Sequence, residues 1–180
     1  MPNLSEEPDK RSNIRISYED PKPFYTTLEH IYQKAYVPVQ EYGHQEPDEI
    51  RTYLRKVLYN QEGRMIIAWD EHQIVGFAAV ECSTTVGEIS EIVIDPDYQG
   101  LGIGRKLFKY ACQVLLKKGC STLSLAVGVR NYRARRFYEK QGFHSVRYSQ
   151  TWVDMEKDIK NIKDTSEGSE QIQAQNGQAS

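Results

Sequence analysis

From Ile94 to Lys106 the chain reads Ile-Asp-Pro-Asp-Tyr-Gln-Gly-Leu-Gly-Ile-Gly-Arg-Lys, and the alternate glycines Gly100, Gly102 and Gly104 suit the binding of a phosphate. Glycine lets the backbone approach an anion closely. The helix predicted from Ile103 opens without Ser, Thr, Asp or Asn, so its first amides lack a side-chain cap and are free for a ligand. Arg105 and Lys106 stand in its first turn, where cations oppose the positive end of the helix dipole unless an anion reverses the local field. A plain glycine-rich turn is the alternative, and it explains neither the missing cap nor the two cations. Two other phosphate loops fail on spacing. A P-loop needs Gly-Lys followed by Ser or Thr, whereas Gly104 precedes Arg105 and Lys106; the dinucleotide fingerprint needs its third glycine three places after the second, and Gly104 is two after Gly102.

The elements that must position this turn are legible on either side. Ile89 to Ile94 is rich in β-branched residues and stops at Asp95-Pro96, which predicts a strand ending near Ile94. Ile103, Leu107, Ala111 and Leu115 recur at helical spacing, Gly119 stops that helix, and Ser121 to Val127 reads as a buried strand. A strand, helix, strand unit makes a parallel pair. Upstream lie a strand over 14–18, a helix carrying Leu28, Ile31, Tyr32 and Ala35 and ending near Val37-Pro38, a loop over 37–48, a helix from Glu49 to Tyr59, and a hairpin of 64–69 with 73–81 around Asp70-Glu71-His72. Downstream, Asn131 starts a short helix with Ala134, Phe137, Tyr138 and Gln141 on one side, stopped by Gly142 with Phe143 folding back; 144–148 and 151–158 close the domain as an antiparallel pair. The order β α α β β β α β α β β predicts a mixed sheet with helices on both faces.

A chain of 180 residues suits one domain of ordinary size. Its formal net charge of −2 gives no bulk attraction to nucleic acid or anionic membrane, and no run approaches the ~18 apolar residues of a membrane span. We expect neither partner. Residues 1–12 form a polar lead-in without an apolar signal-peptide core, so a cytoplasmic location is expected; 160–180, rich in Gly, Ser, Gln and Glu, reads as a disordered tail. The working domain is then 13–159. Cys82, Cys112 and Cys120 form no CxxC pair and read as small buried residues, and the four histidines show no ligand spacing, so no metal is expected.

Gln99-x-x-Gly102-x-Gly104, followed by a helix, a strand and Asn131-x-x-Ala134-x-x-Phe137-Tyr138-Glu139-x-x-Gly142-Phe143, resembles the GNAT superfamily of acetyl-CoA-dependent N-acyltransferases over nearly all of 13–159. The resemblance implies an α/β (α+β) fold with a mainly antiparallel sheet and one parallel pair, Val86 to Ile94 and Ser121 to Val127, splayed to bind coenzyme A. It implies that the amides of Gly100, Leu101, Gly102, Ile103, Gly104 and Arg105, with Gln99 at the start of the motif, hold the cofactor pyrophosphate. Ile92, Val93 and Ile94 would pair with the two amides of the pantetheine arm, as a free strand edge pairs with a peptide. Asn131 matches a further cofactor contact and reads equally as a helix N-cap.

Acetyl transfer from a thioester to an amine needs a neutral amine, a stabilised oxyanion and a proton for the leaving thiolate. An aliphatic amine, pKa ~10.4, is mostly charged at neutral pH, so a carboxylate base helps. Glu88 matches the place where several family members carry that base, and is otherwise a solvated strand-end residue. Glu91 is the other carboxylate, and an odd separation puts the two on opposite faces of a regular strand. Backbone N–H near Val93 would serve the oxyanion. Tyr138 matches the family tyrosine near the cofactor sulfur, a general acid. Ala126 stands before Val127 where the branch acetylating ribosomal-protein N-termini carries Glu, which argues against that branch. The implied function is an N-acetyltransferase acting on a small-molecule or peptide or protein amine by direct attack on the thioester, as a monomer or homodimer; the alternative is a catalytically silent acyl-CoA-binding module. Glu41, Glu46, Asp48 and Glu49, in a loop without Lys or Arg, suit a cationic acceptor or are merely solvated.

Overall fold

The computed structural model describes residues 13–59 and 64–160. The expected lead-in and tail, 1–12 and 161–180, lie outside the described residues. Seven strands, β1 (Ile14–Glu19), β2 (Met65–Asp70), β3 (Gln73–Ser83), β4 (Val86–Ile94), β5 (Thr122–Gly128), β6 (His144–Tyr148) and β7 (Trp152–Asp158), form one sheet in the order β1-β2-β3-β4-β5-β7-β6. Every neighbouring pair is antiparallel except β4 with β5. That parallel pair is joined by the glycine turn and a helix, as its crossover requires.

Four α-helices cover the sheet: α1 (Tyr25–Tyr36), α2 (Pro47–Tyr59), α3 (Ile103–Lys117) and α4 (Tyr132–Lys140). Two buried clusters divide at the sheet. Leu28, Ile31 and Tyr32 of α1 and Ile50 and Leu54 of α2 meet Ile67, Phe77, Ala79 and Val93 on one face. Ile103, Leu107, Ala111 and Leu115 of α3 meet Ile66, Ala78, Val80, Ile89, Leu123 and Met155 on the other. Each fully buried aliphatic side chain contributes roughly 1.5–3 kcal/mol, so these two stripes hold the helices at fixed heights above the strands.

Two boundaries differ from the sequence reading. Helix α2 starts at Pro47 rather than Glu49, because proline suits the first helical position and Asp48 and Glu49 suit the dipole there. Within the expected loop, Val37–Tyr42 is a 3-10 turn. Cys112 and Cys120 are buried as expected, but Cys82 is only half-buried. Among the described residues no group of His, Cys, Asp and Glu is arranged to hold a metal ion, and no helix is long and apolar enough to cross a membrane.

Candidate active site

Strands β4 and β5 pair only at Val86, Gly87 and Glu88, which face Thr122, Leu123 and Ser124. Beyond that point they part. β4 stays with β3 as far as Ile94 while β5 runs along β7, so Ile89 to Ile94 has one edge without a strand partner. The register explains the divergence: Glu91 faces Ala79 and Ile89 faces Val80, which leaves Ser90 as an extra residue, and such a bulge bends and twists its strand. The gap is a cleft of about 700 Å³. It is lined by Ile92, Val93 and Ile94 from β4, Gln99, Gly100, Gly102, Ile103, Gly104 and Arg105 from the turn and first turn of α3, and Asn131 and Tyr138 from the α4 side. Of the residues singled out from the sequence, Leu101, half-buried against the core, Glu88 and Glu91 do not line it.

The backbone of β4 alternates in direction. Asp95 N–H donates to the Val75 carbonyl of β3 at 2.9 Å, so by the antiparallel pattern Val93 and Glu91 also turn their polar groups toward β3. Ile92 and Ile94 turn theirs toward the cleft. By this pattern the N–H of Val93 faces β3, against the expectation that it serves the oxyanion; Val93 still lines the cleft, and its side chain is buried in the cluster under α1 and α2. The carbonyl of Ile94 accepts from Gln99 Nε2 at 3.3 Å, and Gln99 Oε1 accepts from Arg133 at 2.5 Å, so Gln99 fastens strand, turn and α4 together.

The glycine turn is open toward the cleft. Gly100 and Gly102 have φ of +83° and +81°, the left-handed region, and a Cβ at either would meet nothing within 4 Å. The helix begins at Gly102 without a side-chain cap. Among the described residues the amides of Gly100, Leu101, Gly102, Ile103 and Gly104 have no acceptor, whereas the Arg105 amide, expected to join them, donates to the Gly102 carbonyl at 3.1 Å. Arg105 and Lys106 have no acidic partner in the first turn. The arrangement is an electropositive, unsatisfied helix start that can take a phosphate. Gly104 plays a different part, since a Cβ there would lie 3.0 Å from Ile94 Cδ1 and 3.7 Å from the Phe137 ring. It lets α3 pack closely on β4 and α4.

The bulge also changes where the carboxylates point. Glu91 faces Ala79 and Glu88 faces Glu81, two places along the same strand, so Glu88 and Glu91 share one face of the sheet instead of opposite faces. Glu88 is exposed, at the closed end where β4 and β5 still pair. Glu91 is 8% exposed and accepts from Tyr36 Oη at 2.8 Å and Tyr53 Oη at 2.7 Å. Burial raises its pKa from 4.5 to about 7 against the lowering effect of the two hydroxyls. Tyr138, half-buried on α4, packs edge-on against Phe137 and Phe143 with ring centroids 5.2 and 5.7 Å away. Burial first, and then the charge of Glu91, push its phenol well above the ordinary range, so it keeps its proton. The Tyr138 hydroxyl has no partner among the described residues. Asn131 Oδ1 accepts from Ala134 N–H at 3.2 Å, so Asn131 is the α4 N-cap and also lines the cleft.

With this geometry in hand, the profile of the Acetyltransferase (GNAT) family matches residues 25–143. The chain belongs to the GNAT family. An uncharacterized N-acetyltransferase of Methanocaldococcus jannaschii is 32% identical over 136 residues, covering 72% of this chain and 60% of that protein. The chain thus spans less than two thirds of that relative's length. A crystal structure from Pyrococcus horikoshii is 34% identical with a TM-score of 0.69, covering 81% of this chain and 99% of the other. The PaiA N-acetyltransferase of Thermoplasma acidophilum, crystallised with coenzyme A, shares the fold at a TM-score of 0.68 and 20% identity, over 82% and 99% of the two chains.

Sequence reasoning passed over the two tyrosines on Glu91. Tyr36 and Tyr53 sit on apolar helix faces and read as core; a signal existed in the phenol tips, which need a partner when buried. No spacing rule links residues 36, 53 and 91, which meet only once α1 and α2 pack on β4. Lys34 was equally silent, yet its ammonium bonds Asp95 at 2.8 Å and Asp97 at 2.6 Å and ties α1 to the start of the glycine turn.

Proposed function

We propose that the protein transfers the acetyl group of acetyl-CoA to a primary amine by direct attack of the amine on the thioester. The observation that carries this reading is the join of a free strand edge, at Ile92 and Ile94, to an uncapped helix start with unsatisfied amides from Gly100 to Gly104. The edge suits the two pantetheine amides and the helix start suits the pyrophosphate. Arg105 adds a cation beside the phosphates. Gln99 and Asn131 hold the turn and α4 in place around them.

In the reaction the amine nitrogen bonds to the thioester carbon, the tetrahedral oxyanion collapses, and the carbon–sulfur bond breaks. Ile92 N–H, turned toward the cleft, replaces Val93 N–H as the proposed oxyanion donor. Tyr138 gives its proton to the thiolate. For the base, Glu91 is favoured over Glu88: it lies past the bulge, it accepts at 2.8 Å from the hydroxyl of Tyr36, which lines the cleft, and its own value of about 7 lets it take a proton near neutral pH by way of that hydroxyl. Glu88, at the closed end, is proposed to favour a cationic acceptor together with Glu81 and the exposed Glu41 and Glu46. Asp48 is engaged by Arg51 at 3.2 Å, and Glu49 lies 4.0 Å from His44 Nδ1.

A coupled assay of thiol release and acetyl-amine formation, with acetyl-CoA and a panel of amines, tests this directly. Acetylated amine should appear in step with free thiol. Tight acetyl-CoA binding without transfer to any amine would instead indicate a silent acyl-CoA-binding module.

A further inference from the structure

Two thiols meet at the closed end of the sheet, where β4 and β5 still pair. Cys82 is the last residue but one of β3, and Cys120 follows α3, two places before β5. Distant in the chain, they are brought together because the segment after α3 is laid against the β3–β4 turn: the amides of Ser121 and Thr122 both donate to the Thr85 carbonyl, at 2.7 and 3.2 Å. The Cys120 amide donates to the Leu115 carbonyl at 3.0 Å, which anchors it to the end of α3. The Cys82 thiol donates to the Thr84 carbonyl at 3.7 Å and to the Lys118 carbonyl at 3.9 Å, two residues short of Cys120, and it is also a hydrogen-bond partner of the Cys120 thiol. Both side chains pack in the cluster under α3. Cys120 is 4% exposed, whereas Cys82 is half-buried and within reach of a small solute. Burial first, and then Cys82, push the Cys120 thiol up to about 12, and burial pushes that of Cys112, on α3, up to about 11. Cys82 is therefore the thiol that an oxidant meets first.

We propose that Cys82 and Cys120 form a modification site: a dithiol that a low-molecular-weight disulfide converts reversibly into an intramolecular disulfide, clasping the end of β3 to the entry of β5. The inference is independent of the acetyl-transfer reading. Cys82, as thiolate, attacks one sulfur of the small disulfide RSSR, so that a mixed disulfide forms and one thiolate leaves. Cys120 then gives up its proton and attacks the Cys82 sulfur, which forms the protein disulfide and releases the second thiolate. Two protein thiols are oxidised and one RSSR is reduced to two RSH, with the two protein protons passing to the released thiolates. The loop closed in this way, residues 83–119, holds β4, the glycine turn and α3. Closing it restricts the unfolded chain and leaves the folded one nearly unchanged, because the two side chains are already neighbours.

The test incubates the full chain, as wild type, Cys82→Ser and Cys120→Ser, with oxidised glutathione, quenches with acid, and reads intact mass, free thiols and linked peptides. Wild type should become two hydrogens lighter, lose two of its three thiols and yield one linked peptide pair, Cys82 with Cys120, leaving Cys112 free. Cys120→Ser should stop at a glutathione adduct on Cys82, and Cys82→Ser should not react. Oxidised wild type should melt about 5–15 °C above the reduced form, with the gap removed by dithiothreitol and absent in Cys82→Ser. The wild-type arms decide the outcome by themselves if serine at the buried position 120 prevents folding. A wild type that keeps all three thiols, retains the glutathione adduct, pairs Cys112 or links two chains would overturn the proposal. A linked form that melts below the reduced one would overturn it as well.

Discussion

Glu91, the proposed base, is a side chain whose environment works against its charge. The folded protein binds a proton there up to about pH 7, whereas the unfolded chain releases it near the ordinary carboxylate value of 4.5. Between those values the folded state holds more protons, so stability falls as pH rises through the window, and above pH 7 the full cost, on the order of 3 kcal/mol, is present. Glu91→Gln should therefore raise the melting temperature at pH 8 by several degrees, leave it nearly unchanged at pH 4, and lower turnover at least ~10²-fold. Thermal unfolding at both pH values checks it; a lower melting temperature at pH 8 would contradict the assignment. Glu88→Gln, by contrast, should leave turnover within about tenfold and act on acceptor KM. Tyr138→Phe should lower kcat ~10² to 10⁴-fold with little change in acetyl-CoA affinity, since it removes one proton donor and no packing. Wild-type turnover in that variant would return Tyr138 to a purely packing role.

At the level of elements, the glycine turn and the strand before it make a single binding unit. Gly102→Val should abolish acetyl-CoA binding, because the new side chain enters the space over the free amides and also forces a β-branched residue into positive φ. Calorimetry on a variant whose circular dichroism matches wild type checks it, and retained affinity would remove the phosphate role. Gly104→Val is a poorer probe than its place in the motif suggests, since its Cβ would press on Ile94 and Phe137 and disturb packing as well. This difference between two motif glycines was not legible in the sequence, where both look alike. What was legible came from local rules: the strand ending at Ile94 before Asp95-Pro96, the helix from Ile103, and Asn131 with Gly142 bounding α4. The bulge at Ser90 was not legible, because nothing in Ser-Glu-Ile distinguishes a bulged from a regular pleat, and one unseen extra residue reversed the predicted faces of Glu88 and Glu91.

For the molecule as a whole, two helical layers close on one sheet, and where β4 and β5 part a free edge, unsatisfied amides and a phenol line one cleft, with the Glu91 carboxylate buried behind it on Tyr36. If Glu41 and Glu46 favour a cationic acceptor as proposed, replacing both by Gln should raise KM for a cationic amine severalfold at low salt and much less at high salt. Steady-state kinetics at two ionic strengths checks this, and equal KM values for cationic and neutral acceptors in wild type at low salt would remove the idea. On the proposed mechanism donor and amine meet in the β4/β5 cleft and react without a covalent enzyme intermediate. The most direct measurement is a single-turnover reaction of the protein with isotope-labelled acetyl-CoA and a lysine-type amine, followed by mass spectrometry of both product and protein. Labelled acetyl-amine should equal the thiol released, with no label on the protein and a rate at least ~10²-fold lower in Glu91→Gln. Label retained on the protein, or thiol release without acetyl-amine, would contradict it.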